Sequence, residues 1–519
     1  MPSSLPEKHS EETKGKMLTT VRLLQDTPAP APPPPPPTPQ DVEFSYNSQD
    51  TVVMPSQSTL VSGVLAGPST DKTELNGGLT AAEDGRFVYP DHDSRSVAAI
   101  SFAAVAKTIQ QLELALGQKI EWPFPAAKLG INADAGEDFN AYYSRDEGAV
   151  SFFHAQDPIT GAMVFSGGSG EVASHEAGHA ILDGLRPGYF SSWATDVGAF
   201  HESFGDMVGM IMALQDERVL ARTAVQTGGN LRKPNVAADL GESLGRGIND
   251  MVGENVLGGD YVRTAINSFK WQDPATLPWR GTPDQLGAEV HDFSRLWTGA
   301  FYDVLCAINN EAIAAGASPK EALRAAGQEG LKLLANLMKN APQGEFTYRE
   351  MAEAFVASDR EHNNGARADL IEKVMKDREI IPTPAEPTPP PTEPTPPTPE
   401  PPPEEAKSIF TSTTDGRKPL ADVVRTVTVK LSGPEFGMFN GAKVQTLVDK
   451  DGGLSKDAEV GIRTRKNVAR LIKEGRIRYN DPGYTMKPED YFDANGRPYT
   501  GVVRWVNGEM TIERVKIAT

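Results

Sequence analysis

Residues 166–181 read SGGSGEVASHEAGHAI and residues 198–206 read GAFHESFGD, and these two stretches decide what kind of fold the chain can build. The first sets His175 and His179 four apart with Glu176 beside the first histidine, and Gly184 and Pro187 supply a helix stop after Ala180-Ile181-Leu182. On a helix, positions i and i+4 project from one face one turn apart. Both imidazoles can therefore share one tetrahedral ion, and Glu176 lies beside the ion's open position, where it can take a proton from water. Two protein ligands leave such an ion incomplete. The second stretch offers Glu202 as the third, with Asp206 one turn further on. Asp206 is placed either to accept a hydrogen bond from a ligand histidine, fixing its tautomer, or to be an ordinary solvated helix charge. His201 neighbours Glu202 but should point elsewhere on the helix, into a supporting or a surface position. Leu185, six beyond His179, excludes a third histidine in the pattern H-E-x-x-H-x-x-G-x-x-H. Two histidines and a glutamate in a hydrolytic setting favour zinc over cobalt or manganese.

Working outward, the block from about 94 to 381 is the densest in helix-like pattern. Val197, Phe200, Phe204, Val208, Ile211 and Met212 recur at helical spacing, as do Phe293, Leu296, Trp297, Ala300, Phe301, Val304 and Leu305. Residues 41 to 93 carry little periodic signal. Proline-rich runs at 28–40 and 382–403 read as extended spacers, the first closing a disordered segment 1–40 and the second a linker 382–405. The remainder, 406–519, reads as a small α+β module. VVRTVTVKL is strand-like, Ser455 to Glu474 is helix-like, and Asn507-Gly508 marks a tight turn in GVVRWVNGEMTIERV.

Composition narrows the function classes. The single cysteine, Cys306, allows neither an internal disulfide nor a cysteine-rich metal module, so any metal must sit on histidine and carboxylate ligands. The formal charge of −19 argues against nucleic acid as the main partner. No stretch approaches a membrane span, and no classical signal peptide is recognisable, which leaves localisation open between the cytoplasm and a non-classical route of export. Residues 406–519 differ from the rest in carrying 20 Lys and Arg against 14 Asp and Glu. Their densest basic run, RTRKNVARLIKEGRIR at 463–478, reads as a solvated helix face, or as a surface that docks on an anionic partner or on the acidic catalytic block.

The two opening stretches resemble the thermolysin-like zinc peptidases and, more distantly, the fungalysins, in which H-E-x-x-H is joined by a glutamate on a later helix. The resemblance covers about residues 94 to 381. It implies an α+β fold in which a small mixed lobe and a mostly helical lobe hold a zinc cleft between them, with 406–519 as a separate module. It also implies further site residues. Asn140-Ala141-Tyr142-Tyr143 is similar to the edge-strand segment that aligns a peptide, so Asn140 and Ala141 would hold substrate backbone. GAEVHDFSRLWTGAFYDVL is similar to the segment whose histidine stabilises the oxyanion, which would be His291, with Leu286 where a supporting aspartate is expected and Asp284 and Glu289 flanking it. Tyr189 is the nearest match to the family's transition-state tyrosine, with Phe190 and Trp193 as alternatives, and Arg263 resembles the arginine that binds a substrate carbonyl. Of the family's calcium carboxylates, Glu171 fits one position while Ala213 stands at another, so Ca2+ is not supported as a second ion.

The function implied is endopeptidase activity on protein or peptide substrates, with a zinc-bound water activated by Glu176. The alternative is a catalytically inactive zinc scaffold whose module at 406–519 does the binding. The intact Glu176 weighs against it, because a structural zinc site needs no general base.

Overall fold

The computed structural model describes residues 38–65, 67–91, 93–383, 423–450, 453–494 and 497–518. Apart from residues 38–40 and 382–383, both proline-rich runs lie outside these residues. The chain is a mixed α+β protein, 44% helical and 18% strand, with several small sheets.

Residues 41 to 93, poor in periodic signal, nonetheless form structure in their described part. Strands β1 (Gln40–Tyr46) and β2 (Gln57–Val64) make an antiparallel hairpin, followed by the short β3 (Thr73–Leu75). Phe44 and Val61 are fully buried, and Phe44 stacks on Phe87 and lies against Phe102. Phe102 belongs to α1 (Ser94–Leu116), which Asp93 caps by accepting the Arg95 amide and which Gly117 ends in the left-handed region at φ 70°. The boundary drawn at residue 94 is thus crossed by one continuous core.

Five strands form the sheet beside the cleft. They are β3, β4 (Leu129–Asn132), β5 (Ala141–Ser144), β6 (Ala149–Phe152) and, much later in the chain, β16 (Ile517–Ala518), in the order β16-β5-β6-β4-β3. A hairpin of β7 (His154–Gln156) and β8 (Met163–Phe165) leads into helix α2 (Gly170–Leu185). Ser169 caps α2, and a side chain at Gly170 would collide with the Asn47 carbonyl, so the N-terminal segment and α2 touch backbone to backbone.

The helical part packs α2 against α3 (Thr195–Ala213), and α3 against α6 (Val290–Ala314). Between them run α4 (Glu217–Thr227), α5 (Glu242–Val252) and the two-residue strands β9 (Asp239–Leu240) and β10 (Arg263–Thr264). Helices α7 (Pro319–Asn340) and α8 (Tyr348–His362) each start with a capping box, Ser318/Glu321 and Thr347/Glu350, and α9 (Ala368–Asp377) completes the stack. The apolar stripes seen at 197–212 and 293–305 face one another here; Phe200, Phe204, Phe293, Trp297 and Phe301 are all fully buried.

The last part of the chain builds a second five-stranded sheet, from β11 (Val424–Lys430), β12 (Lys443–Asp449), β13 (Ile477–Arg478), β14 (Gly501–Val506) and β15 (Glu509–Arg514), in the order β11-β12-β15-β14-β13. Helix α10 (Gly453–Lys473) packs on it. Asn507 and Gly508 have φ of 52° and 80° and close the β14–β15 hairpin, as their sequence suggests. The sheet has a core of its own, but it is not a separate body. The described residues from Pro39 onward form one compact unit. Trp193, from the loop between α2 and α3, is buried among the apolar residues of the second sheet, donates to the Gln445 carbonyl at 3.0 Å and lies under the Arg514 guanidinium. The basic run is only in part a solvated face: Arg465, Lys466 and Lys473 are exposed, while other side chains of the run turn inward. Arg463 pairs with the fully buried Glu345, Asn467 donates to the Trp193 carbonyl, and Arg470 donates to the carbonyls of Pro274 and Leu277. Those partners are non-local in sequence, which is why composition alone showed a charge run and not its contacts.

Candidate metal centre

Two glycines bring the motif stretches together. A side chain at Gly178 would stand 3.1 Å from the Gly205 Cα, and one at Gly205 would overlap the His175 ring. Their absence lets α2 and α3 approach closely enough for Glu202 to reach both histidines. His175 Nε2 lies 3.7 Å from Glu202 Oε2, and His179 Nε2 lies 3.7 Å from Glu202 Oε1. One ligand atom from each of His175, His179 and Glu202 lies within 4.8 Å of the others, and all three residues are buried; this is the group among the described residues that could hold a metal ion.

The nitrogens facing away are held as well. His175 Nδ1 donates to Asp206 Oδ1 at 3.1 Å, so Asp206 supports a histidine and is not a solvated charge; it is fully buried. Thr298 donates to its other oxygen at 3.0 Å, and Arg263 grips it through Nε and Nη2. Burial alone would raise the Asp206 pKa, but the Arg263 charge and the His175 hydrogen bond outweigh it and hold the carboxyl below its usual range. His179 Nδ1 lies 2.8 Å from His201 Nδ1. Burial, followed by the charges of His175 and His201, pushes His179 well below its usual pKa; burial, with Arg145 nearby, brings His201 down to about 3. Both rings are neutral. With Nε2 of His179 turned to Glu202, its Nδ1–H donates and His201 accepts. His201 had no distinctive signal in the sequence, since a residue beside a ligand on a helix normally points away, and its role depends on the packing of α2 on α3.

These contacts fix both imidazoles with Nε2 turned inward. His179 Nε2, Glu202 Oε2 and Glu176 Oε2 are buried without a hydrogen-bond partner, a cost that a cation among them would remove. The donor set fits a metal ion.

Beside it opens a cleft of about 180 Å³ lined by Asn140, Ala141, Glu176, Arg263 and His291 together with an apolar wall that includes Phe139, Val172, Leu240 and Leu244. Asn140 stands at the start of β5, where its Oδ1 accepts the Ala141 amide at 2.9 Å. Arg263 Nη2 approaches both His175 Nε2, at 3.4 Å, and Glu202 Oε2, at 3.9 Å. His291, one residue into α6, has Nδ1 2.8 Å from Glu289 Oε1 and Nε2 3.4 Å from Glu202 Oε2. Glu289 is the N-cap of α6 and accepts the His291 amide with its other oxygen. The support for His291 therefore comes from two residues upstream, and Leu286 is simply core. Burial opposes charge on His291, yet Glu202 and Glu289 raise its pKa to about 10. Glu176 moves the other way from a typical carboxylate. Burial, and then the nearby Glu202, raise it to about 8 against the pull of His175.

Tyr189 is not brought to the cleft, and that expectation is corrected. Its hydroxyl donates to the Pro342 carbonyl at 2.7 Å and its ring packs on Phe346 and Phe200, which makes it a core aromatic. Phe190 lies against His201 and Trp193 is buried in the second sheet, so neither alternative takes the place. At the other end of α2, Glu171 accepts the Gly241 amide at 2.6 Å and faces Glu242, while Ala213 ends α3 with no ligating atom.

No family model and no curated protein matches the chain.

Proposed function

We propose that the chain is a zinc-dependent endopeptidase with a thermolysin-like fold. The observation that carries the reading is the convergence of His175, His179 and Glu202 on one point, with Glu176, His291 and Arg263 around the same cleft. Zinc, when bound by the two histidines and Glu202, supplies a Lewis acid that polarises a carbonyl and acidifies water. The rest is done by residues of the chain. Glu176 is the group placed to take a proton from water and return it to a leaving amine. His291, held by Glu289, donates toward a developing oxyanion. Arg263, fixed by Asp206, keeps a donor turned to the cleft for a substrate carbonyl, and Asn140 with Ala141 offers main-chain pairing to an extended peptide. The apolar wall accepts an apolar side chain.

The test is cleavage of casein by the full chain beside Glu176→Gln, with metal content measured on both. One zinc per chain in each, and a loss of cleavage in the variant of roughly a thousandfold or more, is the expected result. Zinc in both and cleavage by neither would favour the scaffold reading.

A further inference from the structure

Strand β5 is the sheet edge nearest the candidate metal ligands, and it is only half open. One side pairs with β6 along its length, Ala141 opposite Phe152 through Ser144 opposite Ala149. On the other side β16 pairs antiparallel, with Ile517 opposite Ser144 and Ala518 opposite Tyr143, and the Arg145 amide donates to the Lys516 carbonyl at 3.0 Å. Among the described residues β16 leaves Asn140, Ala141 and Tyr142 unpaired, and Asn140 and Ala141 line the cleft with His175 and Glu176. A peptide bound through its main chain needs a strand edge, and along β5 it has Asn140 to Tyr142 before it meets Ala518.

The occupant is anchored from behind. Ala518 and Val515 are buried, and β16 follows directly on β15 of the second sheet. From the connection between β13 and β14, Phe492 lies against Tyr142, with ring centroids 5.8 Å apart. Two contacts from the last part of the chain thus end on consecutive residues of β5. A strand of two residues at a sheet edge also belongs to the part of a fold that opens most easily.

We infer that β16 stands in for a substrate strand. It fills the far half of the peptide-binding edge of β5, so short peptides reach the cleft directly, whereas a long extended chain docks fully only when β16 peels away. The inference rests on the peptidase reading for its consequence, and on the strand pairing for its geometry. A mere cap on the edge, which keeps it from pairing with other chains, would leave substrate choice untouched.

Ser144→Cys/Ile517→Cys sets two thiols opposite each other, and oxidation locks β16 in place. Cleavage of casein and of a blocked dipeptide amide is measured on the oxidised and reduced forms. Locking is expected to lower the casein-to-dipeptide ratio about tenfold, and Ala518→Pro, which removes a strand N–H, to raise it about threefold. A ratio that neither change moves overturns the inference. The same lock in a Glu176→Gln background, read by fluorescence anisotropy of a labelled casein peptide of about 15 residues, separates the two claims. Lock-sensitive binding without cleavage by any active-site-intact form overturns the peptidase reading and keeps the role of β16. Cleavage and binding indifferent to the lock overturn the role of β16 alone.

Discussion

Two clusters of buried carboxylates meet α2 one turn apart, one with α3 at His175 and the other with the start of α5 at Glu171, and one is ionised while the other holds a proton. At the candidate metal centre, Asp206 is fully buried yet held ionised by Arg263, with His175 and Thr298 donating to it. One turn earlier, Glu171 faces Glu242, both are buried, and neither has an ion pair with a basic side chain among the described residues. There burial, with Asp50 nearby, drives Glu242 up to about 7 against the lowering pull of its hydrogen bond to Glu171, and burial with the charge of Glu242 drives Glu171 upward as well. One cluster is stabilised by a guanidinium, the other by holding a proton. A buried charge persists where the fold supplies a counter-charge of fixed geometry, and neutralises where it does not.

Removing the counter-charge from the first cluster is the most forceful way to break this contrast. Arg263→Met leaves Asp206 without its main partner in a site closed to water. The expected loss is about 3 to 5 kcal/mol of stability at pH 7, measured by urea unfolding, together with a rise in the Asp206 pKa toward that of the second cluster. A loss below about 1 kcal/mol would mean that His175 and Thr298 alone suffice to hold the charge.

A smaller effect concerns how the histidines are held. His201→Ala removes the acceptor for His179 Nδ1–H and should weaken zinc binding about 10- to 100-fold, read by competition with a chromogenic chelator. His201→Asn restores an acceptor oxygen at that place and should recover most of the affinity. Equal weakening by both would show that the ring fills space and does not orient its neighbour.

How much of this was legible beforehand follows from sequence distance. His175, Glu176 and His179 lie within one helical turn, and Glu202 shares its helix with Asp206, so spacing alone placed them on common faces. The glycine contact that lets α2 and α3 touch is formed by Gly178 and Gly205, which carry no such pattern. The partners of the second rank were harder. Glu289 supports His291 as a helix cap, although an aspartate further upstream was the expected supporter. Tyr189 was expected at the cleft from the resemblance alone, but its hydroxyl reaches the Pro342 carbonyl and the residue lies in the core. Least legible was β16. A two-residue strand has no period to detect, and its partner β5 lies more than 370 residues away in the chain. The hairpin of residues 40–64 was half legible: Val42, Phe44 and Tyr46 alternate with Glu43 and Ser45, whereas β2 sets Leu60 and Val61 side by side and carries no such period.

The second cluster gives the finest test of the comparison, because its sign is set by protons. An unfolded glutamate titrates near 4.5, while Glu242 in the folded chain does so at about 7. Between those values the folded chain holds more protons than the unfolded one, so stability must fall as pH rises through the window, and the proton's contribution is fully present only below it. Glu242→Gln keeps the shape and the donor without the titration. It should match the parent chain at pH 4 and exceed it by about 2 kcal/mol at pH 8, measured by urea unfolding at both values. The first cluster behaves inversely: Asp206, held ionised, contributes above the pKa of an unfolded aspartate and loses that contribution as acid protonates it. If millimolar Ca2+ erased the pH dependence of the parent chain and left that of Glu242→Gln unchanged, the pair would be ligating a cation where burial would otherwise leave it holding a proton. The two clusters would then both be counter-charged, one by an arginine and the other by an ion, and the contrast between them would lie in the choice of cation and not in its presence.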